Sequence, residues 1–177
     1  MHEDLRKQLE RKLSNYSPEE PPVVFSGRQF LAFKVADQHL LIAADAVREI
    51  VMPPPITYVP KAQKEVEGLI ALRGEIMPVV NLRRMLGFSQ GSLTASTRCL
   101  VVCPSNENFV LLVDEIVEFL WLMDEDIDSV DHDYLSAEFA VISGVAKSSS
   151  SVRPVIDVRL ILQAVFEEGA SYEQSAN

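Results

Sequence analysis

Positive charge is in short supply: Lys and Arg number 16 against 26 Asp and Glu, a formal charge of −10. A nucleic-acid-binding domain presents a basic stripe, and a surplus of acid repels phosphate, so DNA and RNA are excluded as partners. The same surplus keeps a chain soluble and favours basic partner surfaces. Long apolar runs are also missing. The most apolar stretch, Ile116 to Met123, contains Glu118, whereas a membrane span needs about 20 apolar residues. Residues 1–12 hold no apolar core of a secretory signal. Together these absences predict a cytoplasmic protein with no direct membrane insertion.

Cysteine is scarce, with only Cys99 and Cys103. Both fall in a run that reads as one strand, where four residues span ~13 Å. A disulfide needs Cα atoms within about 7 Å, so the two are expected as reduced, partly buried thiols suited to a reducing compartment. Catalytic signatures are absent as well. No serine elbow, Walker loop or dinucleotide fingerprint occurs, and no zinc-ligand spacing is found. His2, His39 and His132 lie in the start of the chain, a turn and an acidic loop. Asp124-Glu125-Asp126-Ile127-Asp128 opens like a calcium loop, but Ser129 and Leu135 stand where Gly and a bidentate Glu are required. It reads as a solvated acidic loop. No enzyme, metal or cofactor is expected.

What is present suits one globular domain: 177 residues, 47% apolar and 24% charged, enough to bury roughly 70% of the unfolded surface without staples. Leu5, Leu9 and Leu13 form a single apolar stripe at helical spacing among Lys, Arg, Glu and Gln. Ser17-Pro18-Glu19-Glu20-Pro21-Pro22 then breaks the pattern. Residues 1–22 thus read as a weakly held helix and a stiff linker, dispensable for folding. The helix either lies on the body and frays or docks a partner.

From residue 23 the texture becomes β-rich. Strands are predicted at Phe30–Val35, Leu40–Ile42, Val47–Val51, Glu67–Leu72 and Glu75–Val80, with a turn over residues 36–39. Pro53-Pro54-Pro55 ends the third strand. A short helix over Asn81–Leu86 stops at Gly87. The second half repeats this order. An offset of 69 sets Leu31-Ala32-Phe33 against Leu100-Val101-Val102 and Val47 against Ile116. An offset of 76 sets Gly68-Leu69 against Gly144-Val145 and Pro78–Arg83 against Pro154–Arg159. Two tandem β units, over approximately 27–90 and 97–166, are too short for large sheets and fit small closed barrels, since closure removes exposed edges. Residues 167–177 read as a flexible tail.

In Gly68-Leu69-Ile70-Ala71-Leu72-Arg73-Gly74-Glu75-Ile76-Met77-Pro78-Val79-Val80-Asn81-Leu82, an apolar strand meets a two-residue turn and a second strand. Arg73 is a permanent cation at the end of a buried strand and wants a carboxylate, for which Glu49 is a candidate. The alternative is an exposed turn arginine that contributes little. This stretch, with Val47-Arg48-Glu49-Ile50, Val113-Asp114-Glu115-Ile116, Gly144-Val145-Ala146 and Val155-Ile156-Asp157 in order, resembles the CheW family over residues 27–166. The resemblance implies an all-β fold of two intertwined, SH3-like five-stranded barrels with short helices. It implies a non-enzymatic adaptor that couples methyl-accepting chemoreceptors to the histidine kinase CheA.

By that resemblance Val47, Ile50 and Gly68 would meet the CheW-like regulatory domain of the kinase. Phe119 and Arg98 would meet the helical tip of a chemoreceptor in a groove between the lobes. Glu49 and Arg73 would form a signalling ion pair. Plain core packing is the alternative for Val47 and Phe119. The chain departs from the family pattern at Ala71, at Leu40-Leu41-Ile42 and at the bulky Phe119. Two other readings stay open: an adaptor of a type IV pilus or surface-sensing pathway, and a small-ligand-binding β module, although the strands carry few convergent polar groups.

Overall fold

The structure is a computed structural model and describes residues 27–131, 136, 139–147 and 152–167. The expected N-terminal helix and linker, His2, His132 and nearly all of the tail lie outside the described residues. Strands β1 (Arg28–Val35) and β2 (Gln38–Ala43) form a hairpin turned at Ala36-Asp37. The turn is shorter than the sequence suggests because Ala36 adopts a positive φ of 53°, which lets two residues reverse the chain. Gln38 and His39 therefore belong to β2, not to the turn. A 3-10 turn at Ala44–Ala46 leads into β3 (Val47–Val51). β4 (Val66–Leu72) and β5 (Glu75–Asn81) follow, then the short helix α1 (Leu82–Met85).

The second half lays down β6 (Arg98–Val102), β7 (Phe109–Val113) and β8 (Glu115–Leu122). Next come β9 (Ile127–Ser129), β10 (Ile142–Lys147), β11 (Val152–Ile156) and α2 (Val158–Leu162). The acidic segment is not merely a solvated loop. Asp124–Asp126 forms a 3-10 turn, and β9 pairs with β10 through Gly144↔Ser129 and Ala146↔Ile127. Ile127 drives this by packing its side chain on the core of that lobe.

Two sheets result, ordered β8-β1-β2-β11-β10-β9 and β3-β6-β7-β5-β4. The six-stranded sheet takes β1 and β2 from the first half and the rest from the second. The five-stranded sheet takes β6 and β7 from the second half and β3, β4 and β5 from the first. Each sheet is joined across the halves twice, by a parallel pair (β11 with β2, β5 with β7) and by an antiparallel pair (β1 with β8, β3 with β6). This is the internal repeat made physical: corresponding strands occupy corresponding places, but each sheet borrows a hairpin from the other half.

The central strands are buried on both faces, which explains their unbroken apolar runs. Leu31 and Phe33 of β1, Leu40 and Ile42 of β2, Leu100 and Val102 of β6, and Phe109, Leu111 and Val113 of β7 meet in one core between the sheets. The alternate residues fill two lobe cores, Phe30, Ala32 and Leu41 in one and Cys99, Val101, Val110 and Leu112 in the other. The two helices start alike, each capped by the residue that ends or follows a strand. The Asn81 side chain accepts from the Arg83 and Arg84 N–H groups, and the Asp157 side chain accepts from the Arg159 N–H.

Candidate docking surfaces

The β4–β5 hairpin turns at Arg73 and Gly74, with φ of 51° and 86°. Two successive positive φ values define the primed turn that matches strand twist. Arg73 thus sits in the turn and is 75% exposed, rather than ending a buried strand. Its Nη2 lies 2.9 Å from Glu49 Oε2 on β3, so the expected pair is formed. Beside it Arg48 Nη2 lies 3.0 Å from Glu75 Oε2. Since β3 and β4 are the two edges of the five-stranded sheet, these ion pairs bridge the barrel seam.

Val47 and Ile50 of the same strand are half-buried and pack against the core between the sheets. Gly68 is different again. It is buried at a bulge where Val66↔Val80 gives way to Gly68↔Val79. Thr57 and Leu69 exchange N–H···O bonds of 2.8 Å across this spot. A Cβ on Gly68 would lie 2.3 Å from the Thr57 carbonyl oxygen. The expected kinase contact is thus not open at Gly68 itself, because residues 56–57 of the chain already cover its backbone. Gly144, the repeat counterpart, faces the Asp128 carbonyl of β9 in the same way, at 2.9 Å from a built Cβ.

Phe119 stands on β8 opposite Leu31 and is 55% exposed, so it is not a core residue. It lines a groove of about 410 Å³ with Arg28, Gln29, Ala44 and Asp45. Ala44 and Asp45 belong to the 3-10 turn that carries the chain from one sheet to the other, so the groove lies at the junction of the lobes. Val117, Trp121 and Met123 are exposed apolar neighbours along the same strand and just beyond it. A larger cleft of about 880 Å³ adjoins it, sharing Arg28 and Asp45 and reaching Ile127 and Arg159.

Arg98 is not among the residues lining this groove. Its Nη1 donates to the Ala95 and Thr97 carbonyls at 2.8 Å each, so its own loop holds it.

One contact escaped the sequence reading. Arg83 on α1 grips the Asp114 carboxylate with Nε at 2.9 and 3.0 Å and Nη2 at 2.8 Å. The same carboxylate accepts from the Ala36 N–H at 2.6 Å. One side chain thereby ties α1, the β1–β2 turn and the β7–β8 junction together. The hydrogen bond to Asp114 raises the Arg83 pKa. A signal existed in the arginine that follows each short helix start, but its partner is remote in sequence. Ile76 beside the β4–β5 turn and Tyr58 beside the Thr57–Leu69 bridge are exposed apolar side chains on the same sheet; nothing in their spacing set them apart.

Cys99 is buried, and burial pushes its thiol up to about 11. Cys103, expected to be partly buried, is exposed just past β6. Burial raises the Asp157 carboxyl, but hydrogen bonds from the Arg159 side chain and backbone prevail and hold it below its ordinary value. Among the described residues no cluster of His, Cys, Asp and Glu could hold a metal. No described helix is long and apolar enough to cross a membrane.

Two intertwined barrels, with apolar side chains on exposed strands and ion pairs along a seam, define a scaffold that acts through its surfaces. Residues 29–166 match the model of the CheW-like domain. A chemotaxis protein CheW from Rhizobium meliloti is 36% identical over 101 residues, covering 57% of this chain and 65% of the relative. One from Helicobacter pylori is 29% identical over 138 residues, covering 78% and 83%. The crystal structure of the scaffolding protein TtCheW from Thermoanaerobacter tengcongensis superposes with a TM-score of 0.68 at 23% identity, covering 74% of this chain and 89% of that one. The chain belongs to the CheW family. It is a chemotaxis adaptor of that family.

Proposed function

We propose that this adaptor works in the cytoplasm and couples methyl-accepting chemoreceptors to the histidine kinase CheA through two separate surfaces. The β3 edge and the β4–β5 turn, with Val47, Ile50 and the Glu49–Arg73 pair, meet the kinase's CheW-like regulatory domain. The groove at Phe119 receives the helical tip of the receptor. The observation that supports this reading best is Phe119 itself: an aromatic ring 55% exposed at the junction of the lobes, where an amphipathic helix can lay its anchors. Arg98, held by its own loop, is left out of the contact. Gly68 acts indirectly, by keeping the adjoining strand in place.

Phe119→Asp tests the reading. The substitution puts charge into an apolar contact and disturbs no core, so binding of a receptor-tip fragment falls tenfold or more while the melting temperature holds. Titration of the fragment against the purified variant measures it. Unchanged receptor affinity would place the receptor elsewhere.

A further inference from the structure

We propose that the Asp45 carboxylate recognises an arginine carried by the receptor's helical tip, and that it stands vacant because Asp157 holds Arg159 away from it. This assignment rests on the receptor reading of the adjoining groove, which Asp45 also lines. The two halves of the molecule differ at equivalent places. Their equivalence is visible in the register: Val79 pairs with Val110 and Val155 with Leu41, both in parallel. The repeat offsets of 76 and 69 carry one pair onto the other. The same offsets carry Arg83 onto Arg159 and Asp114 onto Asp45. They also carry Ala36 onto Ser105, and both of these turn residues have a positive φ, 53° and 52°.

One of these two latches is closed and the other is open. Arg83 grips Asp114, and the loop after α1 folds over the pair, with Arg83 Nη1 donating to the Ser89 carbonyl at 3.2 Å and Gly91 packed on the guanidinium. At the equivalent place Asp45 has no partner among the described residues. There α2 does not turn back but runs on into a helical turn over Gln163–Glu167. The cleft of about 880 Å³ lies at this place, lined by both Asp45 and Arg159. The helix caps explain the difference. Asn81 is neutral, so it caps α1 and leaves Arg83 free to reach across the halves. Asp157, its counterpart, is charged and takes the Arg159 guanidinium itself, at 2.6 Å.

Every other charged side chain lining the cleft is satisfied: Arg28 by Asp124, Arg48 by Glu75 and Arg159 by Asp157. Asp45 is the charge left over, so the cleft favours a cation. Its twin shows which cation fits. A guanidinium fork can engage both carboxylate oxygens, as Arg83 does on Asp114. The buried side chains of Phe30, Val155 and Ile156 give the cleft an apolar floor, on which the methylene stem of an arginine can lie.

Titration of a receptor-tip fragment against the full chain and its variants tests this, with melting temperatures as the check on folding. Asp45→Asn is expected to lower affinity about tenfold and to leave the melting temperature in place, since it removes no contact. Asp157→Asn is expected to lower affinity as well, because the freed Arg159 then occupies Asp45. Adding Arg159→Gln to that variant restores binding, a rescue that a merely structural role for Asp157 would not give. Changing the fragment's arginines to Gln one at a time finds the partner: one of these changes loses its effect in the Asp45→Asn protein. Unchanged affinity in Asp45→Asn would overturn the proposal. So would a loss coupled to no arginine of the fragment, or an Asp157→Asn loss that Arg159→Gln does not relieve. Phe119→Asp, read in the same titration, separates this contact from the receptor reading. A loss at Phe119 with none at Asp45 keeps the receptor in the groove and removes the arginine contact. A loss at Asp45 alone upholds that contact and moves the receptor off Phe119, and no loss at either removes both.

Discussion

At Gly68 a missing side chain makes room for the chain's own strand. Any Cβ there would press within 2.3 Å of the Thr57 carbonyl oxygen and 2.8 Å of the Ile56 Cγ2, and backbone cannot retreat as a flexible side chain can. Gly68→Ala is therefore expected to destabilise the fold by about 2 kcal/mol, read as a fall in the midpoint of thermal or urea unfolding. A stability equal to the parent's would show that residues 56–57 yield freely. The Glu49–Arg73 pair sits at the other extreme. Its distance of 2.9 Å is short, but Arg73 is 75% exposed, so solvent screens it. A double-mutant cycle on stability should give a coupling below about 1 kcal/mol. A larger coupling would mean that the seam excludes water more than its exposure suggests.

The short helices depend on their first residues. Asp157 both caps α2, by accepting from the Arg159 N–H at 2.8 Å, and pairs with the Arg159 guanidinium at 2.6 Å. Burial opposes its ionisation, yet these bonds hold the carboxyl below its ordinary value. A lowered folded pKa means the folded state binds the proton less readily than the unfolded chain, whose Asp titrates near about 3.9. The stabilisation is thus complete above the unfolded value and disappears as pH falls through the lower folded one. Asp157→Asn keeps the capping oxygen and removes the charge. The wild type's stability advantage over this variant should stay level from about pH 7 to 5 and shrink below about pH 4. Urea titrations across that range measure it, and a gap independent of pH would show that the charge adds nothing.

For the whole molecule the exchange of strands has a direct consequence. A fragment of residues 27–90 would hold β1 and β2 without their partners β8 and β11, and β3 and β5 without β6 and β7. It is expected to remain unfolded by circular dichroism, although the tandem repeat makes it look like a self-contained unit. The full chain should unfold in one cooperative transition with coincident signals from different probes, because the core between the sheets is shared by both halves. A fragment with a native strand signature would show that each half closes on itself.

Much of this was legible in the residues. Alternation, prolines and glycines marked the five strands of the first half within a residue or two. The repeat offsets matched strand to strand, and the matched glycines Gly68 and Gly144 both proved to sit under a crossing backbone. The motif order was enough to identify the family. These features are local, set by each residue's volume, polarity and backbone freedom, so a linear text carries them. Tertiary structure alone decided which strands pair across the halves, because either hairpin would satisfy the same edge. Through that exchange it sent Phe119 outward and Val47 inward, although both are apolar residues on strands that correspond in the repeat. It also brought Asp114 to Arg83 and tied Arg98 to its own loop. Burial and charge pairing depend on what lies opposite in space, and a residue's sequence neighbours do not specify that.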